Sequence, residues 1–355
     1  MNDSRPDRPD LPPPLPSAGS PPAFASRSAS PDEVFSAVGG RSVADVAAAL
    51  QGEIRRAVIG QDEAVDQVLA AMLAGGHVLL EGVPGVGKTL LGLALARTFG
   101  GRFTRVQFTS DLMPADVTGH SIFRPDTGKF EIRRGPVFTH LLLADEINRA
   151  PAKTQAALLE AMQEQQVSIE GSSMRLEQPF MVLATQNPLE HEGTYPLPEA
   201  QLDRFLIKVL VPYPNEEEEV SIVRLVTTGR TGDRLDVEAV SQMVSPEQVL
   251  GLQRATSALT VDDRVLDYAV RLVRRTRSWA GLRLGTGPRG AIALIRMARA
   301  FAVLARRDFV LPDDVKRAVL PVLRHRVSPA PDLEMSGQTS DQVLATLIED
   351  VDAPR

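Results

Sequence analysis

The segment from Gly82 to Thr89 has the residue types and the spacing best suited to chemistry in this sequence. It reads Gly-Val-Pro-Gly-Val-Gly-Lys-Thr and matches the pattern G-x-x-x-x-G-K-[S/T] at every fixed position. An apolar run at 77–80 precedes it, and a helical pattern at 90–98 follows it. Glycines allow successive backbone N–H groups to turn toward one anion, and the start of a helix adds a positive dipole. The segment is therefore predicted to be a phosphate-binding loop.

The loop predicts specific contacts with a nucleoside triphosphate. Lys88 is expected to reach the β- and γ-phosphates, and the Thr89 hydroxyl is expected to bind Mg²⁺. The predicted cofactors are ATP and Mg²⁺, and GTP is disfavoured because the sequence has no N-K-x-D motif for reading guanine. The residues predicted to hold the nucleotide here are Gly82, Gly85, Val86, Gly87, Lys88 and Thr89.

Two acids follow a second apolar run. Asp145 and Glu146 come directly after residues 141–144, Leu-Leu-Leu-Ala, which have the character of a buried parallel strand. Functional groups of open α/β sheets gather at the carboxyl ends of strands. Asp145 is therefore expected to face the Mg²⁺ bound by Thr89, and Glu146 to orient and deprotonate the attacking water. Asp-Glu pairs also occur on solvated surfaces, but the phosphate-binding loop favours the catalytic interpretation.

The elements that must position these residues alternate between short apolar runs and helical patterns. Strands are predicted at 77–80, 103–108, 141–144, 180–184 and 207–211, and helices at 43–59, 61–73, 87–99 and 152–165. This alternation predicts an α/β fold with a parallel sheet covered by helices on both faces. Two β-hairpins, at 121–132 and at 167–176 with its turn at 171–173, are predicted to interrupt it.

Changes of composition along the chain predict four segments. Residues 1–40 are rich in Pro and Ser and are expected to be a disordered tail. Residues 41–213 form the predicted α/β nucleotide-binding domain with its two hairpins. Residues 214–328 show only helical patterns and are expected to be a small all-α lid domain. Residues 329–355 are predicted to be an acidic C-terminal tail.

The overall composition excludes several functional classes. The 355 residues include no Cys, which excludes disulfides, thiol catalysis and Cys-based zinc sites and agrees with a cytoplasmic location. The net charge of -6 provides no general attraction for nucleic acid, so no nucleic-acid partner is expected. No apolar stretch has the length of a membrane-spanning helix, so no membrane span is predicted.

Three stretches of sequence carry a resemblance to a known family. The order of phosphate-binding loop, Asp-Glu strand, Asn and Arg resembles an AAA+ ATPase. Three segments are similar to characteristic motifs of the MoxR family of AAA+ ATPases: LLLADEINRAPAKTQAALLEAMQE (141–164), FMVLATQNPLEHEGTYPLPEAQLDRF (180–205) and GPRG (287–290). The resemblance extends over about residues 43–327 and is most specific between 82 and 205. It implies an AAA+ P-loop NTPase core and a helical lid.

The resemblance implies further site residues. Asn187 matches the first sensor, a residue that can contact the γ-phosphate and the attacking water, although Asn before Pro is also a common turn residue. Arg204 matches the arginine finger that acts on a neighbouring subunit's nucleotide; its alternative is a surface salt bridge with Asp203. Arg289 matches the second sensor, a further cation for the γ-phosphate. Val58, Ile59 and Gly60 resemble the segment that packs on adenine, and the alternative for them is termination of a helix by Gly.

The family also implies an assembly and a partner. It predicts an ATPase that works as a homo-oligomeric ring, a hexamer, and acts as a chaperone-like motor on a protein partner or in maturation of a metalloenzyme or complex. The expected partner contains a von Willebrand factor A domain. The hairpins match inserts that face the substrate in related motors, with Phe123, Phe130 and Ile132 as contact residues. Two alternatives are a magnesium-chelatase-like motor subunit and a nucleotide-gated binding scaffold with negligible turnover.

Overall fold

A computed structural model describes residues 40–187, 194–228 and 237–354. The predicted N-terminal tail therefore lies outside the described residues except for its last residue. The helices are α1 Val43–Ala57, α2 Asp62–Leu73, α3 Lys88–Thr98, α4 Pro114–Thr118, α5 Ala152–Glu164, α6 Glu199–Leu202, α7 Glu216–Thr227, α8 Pro246–Ser257, α9 Asp263–Thr276, α10 Pro288–Leu304, α11 Pro312–Leu323, α12 Pro331–Met335 and α13 Ser340–Asp350. The strands are β1 Val78–Glu81, β2 Phe103–Gln107, β3 Gly119–Arg124, β4 Lys129–Arg134, β5 Leu141–Asp145, β6 Gln166–Ile169, β7 Ser172–Arg175, β8 Met181–Gln186, β9 Ile207–Leu210, β10 Leu282–Leu284 and β11 Ser328–Pro329.

The centre of the molecule is a parallel sheet with the strand order β2-β5-β8-β1-β9. Strand β5 pairs with β2 on one side and with β8 on the other, and every pairing in this sheet is parallel. The first four residues of β5 are fully buried, as expected for a strand covered on both faces. The predicted α/β fold with a parallel sheet and flanking helices is confirmed.

The two faces of the sheet pack into different hydrophobic cores. Leu141 and Leu143 of β5 belong to a large core that continues through α1 and α2 into the helical domain. Leu142 and Ala144 point the other way and pack with α5 and with the second hairpin. Because successive side chains of β5 point to opposite faces of the sheet, the same strand contributes to both cores. Strand β5 is therefore packed on both of its faces.

Both predicted hairpins are present. In β3–β4 the side chains of Phe123 and Phe130 lie opposite each other, with ring centroids 5.3 Å apart. Strands β6 and β7 are joined at Glu170 and Gly171, so the prediction that placed this turn at 171–173 was one residue late. Both turn residues have positive φ, 47° and 82°, the backbone twist that fits a two-residue connection between antiparallel strands.

The C-terminal region differs from its prediction in two respects. The helical domain contains a short antiparallel pair, β10–β11, which the sequence pattern did not indicate. Residues 329–355, predicted as an acidic tail, instead contain α12 and α13. Helix α13 buries Val343, Leu344 and Leu347 along one face. The prediction weighed the acidic residues of this segment and missed the helical spacing of its apolar residues.

Candidate active site

The loop, the acids and the asparagine singled out in the sequence meet in one cavity, called here the phosphate cavity. Its volume is about 280 Å³, and it lies at the carboxyl ends of β1, β5 and β8. This edge collects the residues because the three strands run parallel and end together. The lining residues are Pro84, Gly85, Gly87, Lys88, Thr89, Leu90, Arg105, Gln107, Asp145, Glu146 and Asn187.

The loop has the backbone that an anion site requires. Gly85 and Gly87 adopt φ values of 87° and 88°, a region that side chains disfavour. At Gly82 a Cβ atom would lie 2.5 Å from the carbonyl oxygen of Val211, so only glycine fits. Helix α3 begins at Lys88, and its first N–H groups therefore lie at the loop. Lys88 Nζ donates to the Gly82 and Val83 carbonyl oxygens at 2.5 Å and 3.2 Å, and so lies inside the loop.

Asp145 is held by neighbours on both adjoining strands. Its Oδ1 accepts a hydrogen bond from Thr185 Oγ1 at 2.6 Å. Its Oδ2 accepts from Arg105 Nε at 3.0 Å and Nη2 at 2.5 Å. The Glu146 N–H donates to the same Thr185 hydroxyl at 2.9 Å. A single hydroxyl between β5 and β8 thus fixes the relative position of both acids.

Glu146 has an unusual backbone and two side-chain partners. Its φ of 56° and ψ of 50° place it in the left-handed region, which is costly for a residue with a Cβ atom and clusters at functional sites. Its Oε2 accepts from Gln107 Nε2 at 2.7 Å and lies 3.2 Å from Arg149 Nε. The carboxylate therefore lies at the cavity wall in a polar setting, where it can accept a proton from a bound water.

Sequence reasoning missed three residues that hold the two acids. Arg105 and Gln107 line the cavity, whereas Thr185 is a buried residue of β8, and none of the three was assigned a role. Arg105 and Gln107 are two positions apart on β2 and so project from the same face, and Gln107 lies beside Asp145 in the parallel register. The available signal was polar side chains at every second position of an otherwise strand-like segment. That signal could not show which neighbouring strand they would meet.

The residues present fit the expected ligands of Mg²⁺. Thr89 and Asp145 line the same cavity and offer hydroxyl and carboxylate oxygens, the hard ligands that this ion prefers. Mg²⁺ usually keeps several waters and binds through one or two carboxylates together with substrate phosphates. Asn187 follows β8 at the same edge and is buried.

The two arginines taken from the family pattern lie in a different cavity, called here the arginine cavity. It has a volume of about 330 Å³ and separates the start of β1 and the end of α5 from the helical domain. Arg204 and Arg289 both line it, and neither lines the phosphate cavity of its own chain. Two further arginines complete its wall, Arg296 and Arg326. The structure therefore brings the predicted finger and second sensor together, but apart from Lys88.

Asp203 pairs with cations other than its neighbour in sequence. Its Oδ1 accepts from Arg326 Nε at 2.7 Å, and its Oδ2 accepts from Arg289 Nη1 at 3.4 Å. Within residues 40–187, 194–228 and 237–354, Arg204 forms no ion pair with Asp203. The salt bridge considered as an alternative role for Arg204 is therefore not what this structure shows. Burial lowers the pKa of the Arg326 guanidinium, and the hydrogen bond to Asp203 opposes that effect.

Two histidines lie at or next to the arginine cavity: His77, partly buried, lines it, and His325, buried, precedes Arg326 in the chain. His77 accepts the Val182 N–H at Nδ1, 3.0 Å away, and its Nε2 lies 3.2 Å from the Met162 carbonyl oxygen. These partners suit the neutral ring with the proton on Nε2, and burial lowers the pKa of His77 from 6.5 to about 4. His325 Nε2 lies 3.2 Å from the Phe205 carbonyl oxygen, and burial lowers its pKa well below 6.5.

The segment expected to contact adenine lies beside the connection between the domains. Val58 is part of the large core, whereas Ile59 is only partly buried. Gly60 has a φ of 75°, and a Cβ atom there would lie 2.8 Å from the Glu218 carboxylate of α7. Gln61 donates to the Pro212 carbonyl oxygen at 2.8 Å. None of residues 58–60 lines the phosphate cavity, so their assignment to adenine stays a prediction.

Comparison with known proteins agrees with this geometry. The family described as "ATPase family associated with various cellular activities (AAA)" matches residues 77–207, and the AAA lid domain matches residues 274–347. The first match contains the phosphate loop, both acids, Asn187 and Arg204, and the second contains Arg289. Fold, cavity and matches together define an ATPase of the AAA+ class.

Similar whole proteins narrow the class further. "Chaperone MoxR1" of Mycobacterium tuberculosis is 46% identical over 78% of this chain and 74% of its own length. "Protein MoxR" of Methylorubrum extorquens is 35% identical over 87% of this chain and 96% of its own length. A crystal structure of a protein from Cytophaga hutchinsonii, described as a candidate ATPase, superimposes with a TM-score of 0.81 at 38% identity, covering 88% and 96% of the two chains. The chain belongs to the MoxR family of AAA+ ATPases.

Proposed function

We propose that this protein hydrolyses ATP to ADP and phosphate in a homo-oligomeric ring, a hexamer, with each nucleotide between two chains. The observation that carries the proposal is the separation of the site into two cavities. The phosphate cavity contains Lys88, Thr89, Asp145 and Glu146, while Arg204 lies in the arginine cavity of the same chain. A second copy of the chain would then supply Arg204 to the nucleotide.

Within the phosphate cavity, each side chain has one task. Lys88 and the loop N–H groups bind the phosphates, Glu146 accepts a proton from the attacking water, and Asn187 orients that water. Mg²⁺, held by Thr89, Asp145 and the phosphates, would neutralise charge that develops on the phosphate oxygens. The left-handed backbone at Glu146 and its hydrogen bond from Gln107 support this role, because they fix the carboxylate at the cavity wall.

Across the subunit interface, two arginines of one chain would act on the neighbour's nucleotide. Arg204 and Arg289 line the same cavity, so one surface can present both guanidinium groups to one triphosphate. An arginine supplied in this way stabilises the negative charge of the transition state and contributes about 10³–10⁵-fold to turnover in related chemistry. The ring is the assembly in which every chain both receives and donates such a surface.

The motion driven by hydrolysis would act on a protein partner in the manner of a chaperone. The relative named "Chaperone MoxR1" supports this role. The proposed partner contains a von Willebrand factor A domain and lies, like this ATPase, in the cytoplasm. The β3–β4 hairpin is the proposed contact, because Phe130 is 73% exposed beside Phe123, which is also exposed. None of the helices in the described ranges combines the length and apolar character needed to cross a bilayer.

Mixed rings test the shared site. Lys88→Ala subunits lose the phosphate cavity but keep Arg204, whereas Arg204→Ala subunits keep the cavity but lose the finger. Each variant alone should lose nearly all ATPase activity, and an equal mixture should regain part of it because about one quarter of the interfaces combine both intact halves. Arg254→Ala, at an exposed arginine of α8, is the control that should leave activity unchanged.

Two results would contradict the proposal. Assembled mixed rings that regain no activity would show that Arg204 does not act across the interface. A wild-type ring that binds Mg²⁺-ATP but forms no ADP in a single-turnover experiment would identify a nucleotide-gated scaffold instead.

A further inference from the structure

Arg326 is a buried cation that belongs to the helical domain but bonds to the α/β domain. It follows α11, and its side chain is only 4% exposed. Its Nε donates to the Asp203 carboxylate at 2.7 Å. Its Nη1 and Nη2 donate to the carbonyl oxygens of Leu206 at 3.0 Å and Phe205 at 2.5 Å, and Nη2 also lies 3.4 Å from the Asp203 carbonyl oxygen. A further bond goes to the Val322 carbonyl oxygen of α11.

All these partners outside α11 belong to one short segment, residues 203–206, called here the finger segment. It connects the end of α6 with the start of β9 and contains Arg204. Arg326 binds three of its four carbonyl oxygens, those of Asp203, Phe205 and Leu206. His325 adds a contact to the Phe205 carbonyl oxygen at 3.2 Å. The end of α11 therefore determines the path of the backbone on either side of Arg204.

The side chain of Arg204 is left available by this arrangement. Among the residues that the structure describes it makes no ion pair and no side-chain hydrogen bond, and it is partly exposed to the arginine cavity. Asp203, in contrast, lies between Arg326 and Arg289 and bonds to both. One carboxylate thus links the buried arginine to the second arginine of the cavity. The spacing between Arg204 and Arg289 is consequently set by this bond network.

We propose that Arg326, acting through Asp203 and the finger segment, is a positioning residue that aligns Arg204 and Arg289 on the nucleotide of the neighbouring subunit. The inference rests on the proposed function, because it requires that Arg204 acts across the interface. It adds a physical coupling between the helical domain and the finger. Any displacement of α11 moves three carbonyl oxygens of the finger segment, so the lid of one subunit controls turnover in the next.

The matched comparison is with Arg324, two residues earlier. Arg324 also bonds the helical domain to the sheet, through the Lys208 carbonyl oxygen of β9 at 3.3 Å, and it forms an ion pair at 2.9 Å with Asp341 of α13 within the helical domain. It makes no bond to the finger segment in the described part of the chain. Arg326→Lys keeps the charge but loses the guanidinium fork that reaches five acceptor oxygens at once. Arg324→Lys removes a comparable anchor without touching Arg204.

We expect Arg326→Lys rings to lose about 10–100-fold in kcat, because small displacements of a catalytic group have effects of that size, with ATP affinity within about twofold of wild type. Asp203→Asn, which removes the carboxylate at a partly exposed position, should lower kcat in the same way. Arg324→Lys should change kcat little. Calorimetry with Mg²⁺-ATP and steady-state phosphate release measure the two quantities.

Mixed rings then distinguish a positioning role of Arg326 from a general loss of folded protein. Arg326→Lys subunits have an intact phosphate cavity and a misplaced finger, so mixing them with Lys88→Ala subunits should restore activity. Mixing them with Arg204→Ala subunits should restore none, because neither partner supplies a working finger. A variant that merely destabilises the fold would not show this one-sided pattern.

Three outcomes overturn the proposal. Wild-type kcat in both Arg326→Lys and Asp203→Asn would show that the finger segment needs no such support. The second outcome is that Lys88→Ala subunits restore the activity of Arg204→Ala rings but not that of Arg326→Lys or Asp203→Asn rings. That result would assign Arg326 and Asp203 a structural role only. Failure of Lys88→Ala subunits to restore Arg204→Ala subunits would refute the shared site itself, and the positioning role with it.

Discussion

The phosphate cavity and the arginine cavity are assembled in opposite ways. The phosphate cavity is built at the ends of parallel strands within one domain, from residues that lie in or directly after those strands and in the loop that follows β1. The arginine cavity is formed where two domains meet and combines residues from Gly75 to Arg326. Local sequence patterns therefore specify the part that binds phosphate. The part that completes the site depends on how the helical domain packs on the sheet.

The two cavities also differ in charge balance. In the phosphate cavity the cations Lys88 and Arg105 face the carboxylates Asp145 and Glu146. Among the described residues that line the arginine cavity, four carry guanidinium groups and one, Asp203, carries a carboxylate. An excess of fixed positive charge favours an anion supplied from outside. A nucleotide bound to a second chain satisfies this requirement, which is why the difference supports a site shared between subunits.

The largest expected effect comes from replacing Glu146, the proposed base of the phosphate cavity. Glu146→Gln cannot accept the proton of the attacking water, so kcat should fall by about 10²–10⁴-fold while ATP still binds. Phosphate release measures the loss, and calorimetry checks the binding. Glu160→Gln, at an exposed position of α5, should behave as wild type. Full turnover in Glu146→Gln would place the base elsewhere.

The next effect concerns affinity rather than turnover. Lys88→Ala removes the point charge expected to bind two phosphates. Hydrogen bonds to charged groups contribute about 1.5–3 kcal/mol each, so ATP affinity should fall by about 100-fold or more. Calorimetric titration measures this change, with Lys316→Ala at an exposed position of α11 as the control. Unchanged affinity in Lys88→Ala would remove the phosphate-loop assignment.

A pH effect is expected on the side of the arginine cavity. Burial lowers the pKa of His77 from 6.5 to about 4, so below pH 6.5 the unfolded chain binds more protons than the folded protein. The free energy of unfolding should therefore fall as pH decreases from about 6.5 to about 4, losing about 2 kcal/mol between pH 7 and pH 5. The lowered pKa of His325 acts in the same direction.

Urea unfolding at several pH values measures this loss. His77→Gln should remove part of the pH dependence, whereas His120→Asn, at an exposed position of β3, should retain all of it. Identical pH profiles for His77→Gln and wild type would show that His77 is not the group responsible.

The smallest expected effect tests the hydroxyl that links the two acids. Thr185→Val preserves shape but removes the bonds to Asp145 and to the Glu146 N–H. A hydrogen bond of this kind contributes about 1 kcal/mol, so kcat should fall by about fivefold, with a similar small loss of stability. Thr346→Val, on an exposed face of α13, is the matched control. No change in kcat would show that other contacts hold the acids.

Several predictions from sequence are confirmed because the responsible signals are local. The parallel strand ending at Asp145 was predictable from four apolar residues followed by acids, and the start of α3 from the glycines before Lys88. The hairpins followed from strand-like residues around a polar turn, although the turn at Glu170 was placed one residue late. The C-terminal helix containing Leu344 was missed, since net acidity outweighed its apolar spacing.

The sequence by itself indicated the loop and the two acids of the phosphate cavity, because each lies at or directly after the end of its own strand and the carboxyl ends of parallel strands meet at one edge of the sheet. Tertiary structure alone decided where Arg204 and Arg289 lie and what supports them. The decisive bond, from Arg326 to Asp203, joins residues 123 positions apart. An ion pair between residues so far apart in sequence depends on how the large core packs α11 against the sheet. No local sequence pattern indicates which carboxylate a buried arginine will contact.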